Sequence, residues 1–169
     1  DLVRSRGLGD VYKRQECTLD SDFLKIIEYA RTKRLNLHIF TNGISLAQHP
    51  EMLKKIVKLY PYQVGISIYS SDKKLHETVT TIKDSFDKSI GVLNQLKNYG
   101  VNTQVKSVQL SETVKTWKST IELAKKYDTS AAFDVTLTPT IEGDKKTWNH
   151  LLSDEDLIAL YSNPESPLY

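Results

Sequence analysis

Leu35-Asn36-Leu37-His38-Ile39-Phe40, running into Thr41-Asn42-Gly43, decides how this chain folds. Apolar residues alternate with others at a period of two, so the stretch predicts a β-strand with Leu35, Leu37 and Ile39 on one face. Asn42-Gly43 then ends it in a tight turn. The same pattern returns three times. Val64, Ile66 and Ile68 oppose Gly65, Ser67 and Tyr69; Val101, Thr103 and Val105 oppose Asn102, Gln104 and Lys106; Phe133, Val135 and Leu137 oppose Ala132, Asp134 and Thr136.

Between these strands the period changes to that of a helix. Asp20 or Ser21 suits the cap of a helix carrying Phe23, Ile26, Ile27 and Ala30 on one stripe. Pro50 fits the first turn of a second helix, with Leu53, Ile56, Val57 and Tyr60 inward. Asp84 suits the cap of a third, lined by Phe86, Ile90, Leu93 and Leu96 and stopped at Gly100. Ser111 suits the cap of a fourth, with Val114, Trp117, Ile121 and Ala124. Strands recur roughly every 30 to 40 residues, the length of a βα unit, which predicts an α/β fold with a parallel sheet, open or curled into a barrel.

A parallel sheet covered on both sides shows two apolar faces. Here one face of every strand is small or polar, and burying such groups without partners costs about 1–3 kcal/mol apiece. The polar faces are therefore expected to line a wet cavity or hold a ligand; the alternative is a half-polar sheet with that face left open. Ligands of parallel sheets bind beyond the carboxyl ends of the strands. Thr41-Asn42-Gly43, Tyr69-Ser70, Lys106 and Thr138-Pro139 fall on that rim.

Lys106 is the most suggestive charge, because a cavity-facing ammonium needs an anionic partner. A ligand carboxylate or phosphate, Glu16 or Asp134 are the options. Asn42-Gly43 has an equally good structural role in its turn, and His38 reads as a hydrogen-bonded strand residue. His49, His76 and His150 read as loop residues without metal-ligand spacing, and Cys17 is a lone thiol with no histidine near it in sequence.

Composition narrows the class. The 169 residues are 39% hydrophobic and 26% charged, ordinary for a soluble globular domain. No apolar run approaches the roughly 20 residues of a membrane-spanning helix. A single cysteine excludes a disulfide or cysteine-built metal site within the chain and fits a reducing, cytoplasmic setting. Asp1–Gln15 shows no period, and Gly7-Leu8-Gly9-Asp10-Val11-Tyr12-Lys13-Arg14-Gln15 resembles a translated sequencing-adapter tail. Residues 1–15 are therefore expected to be a non-native or disordered tail. Setting aside its four basic and two acidic side chains reduces the 23 basic and 21 acidic residues to 19 of each. That neutral body argues against a nucleic-acid footprint or an anionic membrane surface.

From Glu16 to Leu160 the chain resembles the radical S-adenosylmethionine (SAM) superfamily, in its SPASM-type peptide- and protein-modifying branch. The resemblance runs through Glu16-Cys17-Thr18-Leu19 and Asp22-Phe23, then Ile39–Gly43 and Ile66-Ser67-Ile68-Tyr69. It continues through His76 ahead of Asp84-Ser85-Phe86, Val105-Lys106, and Thr138-Pro139 before Gly143-Asp144. It implies a partial (βα)6 TIM-like barrel in residues 16–169, from about the end of the family's second strand to just past its sixth. It also implies four SAM-binding residues. Glu16 would meet the ammonium, Ser67 would lie near the ribose, Lys106 would pair with the carboxylate, and Thr138 would lie near the adenosyl end. Arg14 and Gln15 stand where the family has two glycines, and Cys17 where it usually has proline.

The family cofactors so implied are SAM and a [4Fe–4S] cluster held by three cysteines, whose loop is absent from this chain. The implied partners are a peptide or protein substrate and an electron donor such as a flavodoxin or ferredoxin. The chain is thus expected to be an incomplete, inactive portion of such an enzyme. Two alternatives stand beside this reading: a (βα)-barrel lyase or aldolase with Lys106 as Schiff-base residue, and a non-enzymatic ligand-binding domain.

Overall fold

Three helices of this protein end in the same backbone device, and that device sets where the strands begin. A computed structural model describes residues 16–139, 143 and 145–168; the tail assigned to residues 1–15, and Asp144, lie outside them. Helices α1 (Phe23–Thr32), α5 (Ser85–Asn98) and α6 (Trp117–Lys126) each stop one or two residues before a left-handed residue: Arg34, Gly100 and Asp128. The next amide then reaches back five residues, Leu35 to Ala30, Val101 to Leu96 and Thr129 to Ala124. These bonds satisfy carbonyls that the helix end leaves without partners.

Leu35 is consequently part of a helix stop and not of the strand, and it is 57% exposed. Strand β1 runs His38–Thr41, starting three residues later than the alternation alone predicts. It is followed by α2 (Ile44–Gln48), α3 (Pro50–Lys58), β2 (Gln63–Ser67), α4 (Lys73–Thr80), α5, β3 (Thr103–Val108), α6, β4 (Ser130–Asp134) and α7 (Asp154–Tyr161). The four strands form one parallel sheet in the order β1-β2-β3-β4. The expected parallel α/β architecture is what forms.

The core lies between one sheet face and the helices. Ile39, Val64, Ile66, Ile68 and Val105 meet Leu46, Leu53, Ile56, Val92, Leu93 and Leu96, all of them buried. Each fully buried aliphatic side chain of this kind contributes about 1.5–3 kcal/mol. On α5 the buried positions Ser89, Val92, Leu93 and Leu96 keep the i, i+3, i+4, i+7 spacing.

Several finer expectations are corrected. Ile26 is 59% exposed, because α1 buries Phe23 and Ile27 against the core with Leu24 and Ala30 beside them. Tyr60 is exposed and left-handed, since α3 has already ended before Pro61, which disfavours helix in the residue ahead of it. Asp84 does stand at the N-cap of α5, where its carbonyl accepts the Lys88 amide, but it is left-handed and its side chain bonds no amide of the helix. Ser111 caps no helix; its hydroxyl donates to Glu112. His76 lies not in a loop but inside α4, and it is 1% exposed.

Candidate functional site

The carboxyl-end rim of β1 is built around Glu16. One of its oxygens, Oε1, accepts from the Thr18 amide (3.2 Å), the Thr18 hydroxyl and the Thr41 hydroxyl (2.6 Å). The other, Oε2, accepts the Asn42 amide at 2.7 Å. Hydrogen bonds to an ionised acceptor are roughly twice as strong as neutral ones, so this carboxylate is a clamp between the Glu16–Leu19 segment and the end of β1.

The turn beyond it is equally committed. The Thr41 hydroxyl accepts the Gly43 amide (3.0 Å), the Asn42 side chain accepts the Ile44 amide (2.9 Å), and the Ser89 hydroxyl donates to the Asn42 carbonyl (2.6 Å). Gly43 has φ of +79°, and a Cβ there would meet the Val92 Cβ at 3.4 Å. Gly43→Ala is therefore expected to cost about 1–2 kcal/mol, from the left-handed backbone and the tight contact together. Urea denaturation measures it; a change below a few tenths would show that the turn relaxes.

Ser67 and Lys106 are brought together directly. They are partners in the β2–β3 register, and Ala132 follows Lys106 on β4. Both are half-buried on the sheet face that faces away from the helical core. Lys106 makes no ion pair among the described residues; its ammonium stands 5.5 Å from the centre of the Phe40 ring. Asp134 is held below the usual carboxylate range first by the Thr136 amide, against a desolvation penalty, with the Lys106 charge a smaller contribution. Glu16 forms no ion pair with Lys106; the residue next to both is Phe40, whose ring faces the Lys106 ammonium and whose carbonyl accepts the Cys17 thiol at 3.3 Å.

Other rim residues serve structure. The Tyr69 amide donates to His76 Nδ1 at 3.2 Å, and buried Ser70 pairs with Thr116 at 2.9 Å while accepting the Asp72 amide. Thr138 is exposed, and its carbonyl accepts the Thr147 hydroxyl at 3.1 Å; no described contact joins it to Glu16, Ser67 or Lys106. The Cys17 thiol is pushed up to about 11 by burial and then by the neighbouring Glu16 charge, so at neutral pH it is a protonated donor. His38 stacks at 4.8 Å on Tyr62, and His49 and His150 sit beside Glu51 and Glu112. An open cleft of about 860 Å³, lined by Lys97, Asn102, Lys125 and Asp128, lies at the amino ends of β3 and β4, away from this rim.

Two residues at the site escaped sequence reading: Thr41, as the partner of Glu16, and Gly65, whose bare Cα makes room for Phe40 and Lys106. A glycine in mid-strand, between Val64 and Ile66, was the available signal for the second.

A rim of this kind suits a zwitterionic ligand, with a carboxylate at one end and an ammonium at the other. The radical SAM superfamily profile matches residues 15–124. Mycofactocin maturase MftC of Mycolicibacterium smegmatis is 25% identical over 156 residues, covering 85% of this chain and 39% of that protein. The chain thus spans about two fifths of the length of this curated relative.

Solved structures share the fold. That of TYW1 with a lysine–pyruvate adduct bound gives a TM-score of 0.61 at 16% identity, over 87% of this chain and 46% of that one. Streptococcus suis SuiB gives 0.61 at 15% identity, over 78% and 30%. A domain of pyruvate-formate lyase-activating enzyme from Bacteroides vulgatus gives 0.58 at 11%, over 83% and 81%.

Proposed function

We propose that this chain, which belongs to the radical SAM superfamily, supplies the SAM-orienting part of an enzyme that modifies a peptide or protein. The observation that carries this reading is the presence on one rim of a clamped carboxylate, Glu16, and the half-buried ammonium of Lys106, which forms no ion pair with a described carboxylate. A [4Fe–4S] cluster held by three cysteines would supply the reducing electron to this chemistry, while Glu16, Ser67 and Lys106 would hold and orient SAM.

The residues fit SAM but not the cluster. Glu16 Oε2 accepts one described hydrogen bond where Oε1 accepts three, so it retains acceptor capacity for a ligand ammonium. Lys106 retains its donors for a ligand carboxylate, and Ser67 stands beside it in register for the ribose. Thr138, exposed beyond β4, is the corresponding contact for the adenosyl end. Three thiolates are needed for the cluster, whereas the chain has one cysteine. Among the described residues no group of three or more His, Cys, Asp or Glu side chains is placed to hold a metal. The chain alone is therefore inactive in this proposal, and residues 16–169 form part of the core domain.

Assignment to the SPASM-type branch rests on the resemblance of Ile66–Tyr69 and of His76 with Asp84–Phe86, in keeping with a relative named as a maturase. A flavodoxin- or ferredoxin-type donor and a cytoplasmic setting belong to the same proposal. No helix among the described residues is long and apolar enough to cross a membrane.

The test uses a version of the protein carrying a three-cysteine loop upstream of Glu16, reconstituted anaerobically with iron and sulfide. Lys106→Ala is expected to weaken SAM binding about tenfold or more, the worth of one lost charge-assisted contact. Unchanged affinity would reject the role of Lys106. The same reconstitution of the present chain should give no stable [4Fe–4S] spectrum, and obtaining one would reject the proposed inactivity.

A further inference from the structure

We infer that Phe40 and Gly65 are positioning residues that hold the Lys106 ammonium in place for a ligand carboxylate; this rests on the reading of Lys106 given above. The three residues lie on neighbouring strands and share one sheet face. Phe40 pairs with Gly65 in register, and Lys106 is one pleat beyond Gln104, the residue opposite Gly65.

The surface over Gly65 is filled from both sides. A Cβ there would lie 2.5 Å from Phe40 Cδ1 and 2.9 Å from Lys106 Cγ. Real Cβ atoms do not approach this closely, so any side chain at 65 would push the ring and the lysine stem apart. With glycine in place, the stem leans across β2 and its ammonium stands 5.5 Å from the centre of the Phe40 ring.

The choice of an aromatic partner matters chemically. A carboxylate at the same distance would hold the ammonium but also neutralise it, and would compete with an incoming anion. A ring face attracts the cation through its quadrupole and leaves the charge and the N–H donors available. The lysine's flexible four-carbon stem is thereby restrained without being neutralised. Phe40 is itself well placed to do this, because its carbonyl is tied to Cys17 and the next residue, Thr41, is tied to Glu16. One residue thus fixes the spacing between the two charged ends of the site.

The test begins with reductive ¹³C-methylation of the whole chain, which keeps each lysine charged and gives each an NMR signal. Lys33, Lys118, Lys126 and Lys145 also lie over rings, so the Lys106 signal is assigned by its loss in Lys106→Arg. The ring current of Phe40 should displace that signal; Phe40→Leu should return it toward exposed lysines, and Phe40→Tyr should keep it displaced. A Lys106 signal indifferent to Phe40→Leu overturns the inference.

A second arm titrates S-adenosylhomocysteine. Phe40→Leu should weaken binding about two- to tenfold when Lys106 is present and have no effect in a Lys106→Ala background. An undiminished effect in that background overturns the positioning role. Should Lys106→Ala itself leave the affinity unchanged, the carboxylate reading fails and takes the purpose of the positioning with it. The NMR arm still reports separately whether Phe40 holds the ammonium.

Discussion

Replacing Glu16 with alanine should destabilise the fold by about 2–4 kcal/mol, because four donors lose one ionised acceptor at once. The Thr41 hydroxyl and the Thr18 hydroxyl belong to residues 1% and 2% exposed, so water replaces the lost acceptor poorly there. The Asn42 amide, which starts the turn into α2, loses its bond as well. Glu16→Gln discriminates between charge and shape. The amide keeps one acceptor oxygen, but its NH₂ must face a donor, either Asn42 N–H or the Thr18 and Thr41 groups. About 1–2 kcal/mol should be lost in that variant. Denaturant midpoints with unchanged slopes measure both. A Glu16→Ala protein within about 0.5 kcal/mol of the original would mean that the carboxylate clamps nothing.

The same residue makes the structural and functional roles separable. Asp at position 16 would retain the charge but withdraw it by one methylene from Thr41 and Asn42, both of which are fixed by α5 and the turn. The position of the carboxylate is thus set by the protein first and is available to a ligand second, which is how a site avoids reorganising when it binds.

How much of this was legible in sequence follows from which interactions are local. Alternation exposes the strands because a pleat repeats every two residues, and all four were identified in order. Residue faces were legible too: Ser67 and Lys106 share one because their strands pair in parallel register. Helix α4 was not, because Lys73–Thr80 buries only His76 and so shows almost no apolar stripe. Its signal was Asp72, whose carboxylate does cap the Lys74 and Leu75 amides. The start of β1 was misplaced because Arg34 adopts a left-handed conformation usually marked by glycine, which draws Leu35 into the helix stop. Glu16 and Thr41 are 25 residues apart, and no periodicity reports a contact between a segment before one helix and the end of the next strand.

His76→Asn should flatten the acid limb of the stability curve. His76 is 1% exposed, and burial pushes its pKa from 6.5 down to about 4. The folded state therefore binds this proton less readily than the unfolded chain does. Its contribution to stability is complete above pH 6.5 and is lost as the pH falls from 6.5 toward 4, where the unfolded state protonates first. Across that window the loss is about 3 kcal/mol, at 1.36 kcal/mol per unit.

Asparagine can place an acceptor oxygen where Nδ1 now receives the Tyr69 amide, and it does not titrate. It also gives up the ring's edge contact with Phe86 at 5.5 Å, so the variant should be weaker at pH 7 by about 2 kcal/mol yet lose less on acidification. Denaturation series at pH 7, 6, 5 and 4 compare the slopes, with the carboxylates and the exposed His38, His49 and His150 common to both proteins. Equal slopes would show that His76 takes a proton in the folded state. A flatter slope would tie acid sensitivity to the backbone at Tyr69, two residues beyond Ser67, and so to the rim where the ligand is proposed to sit.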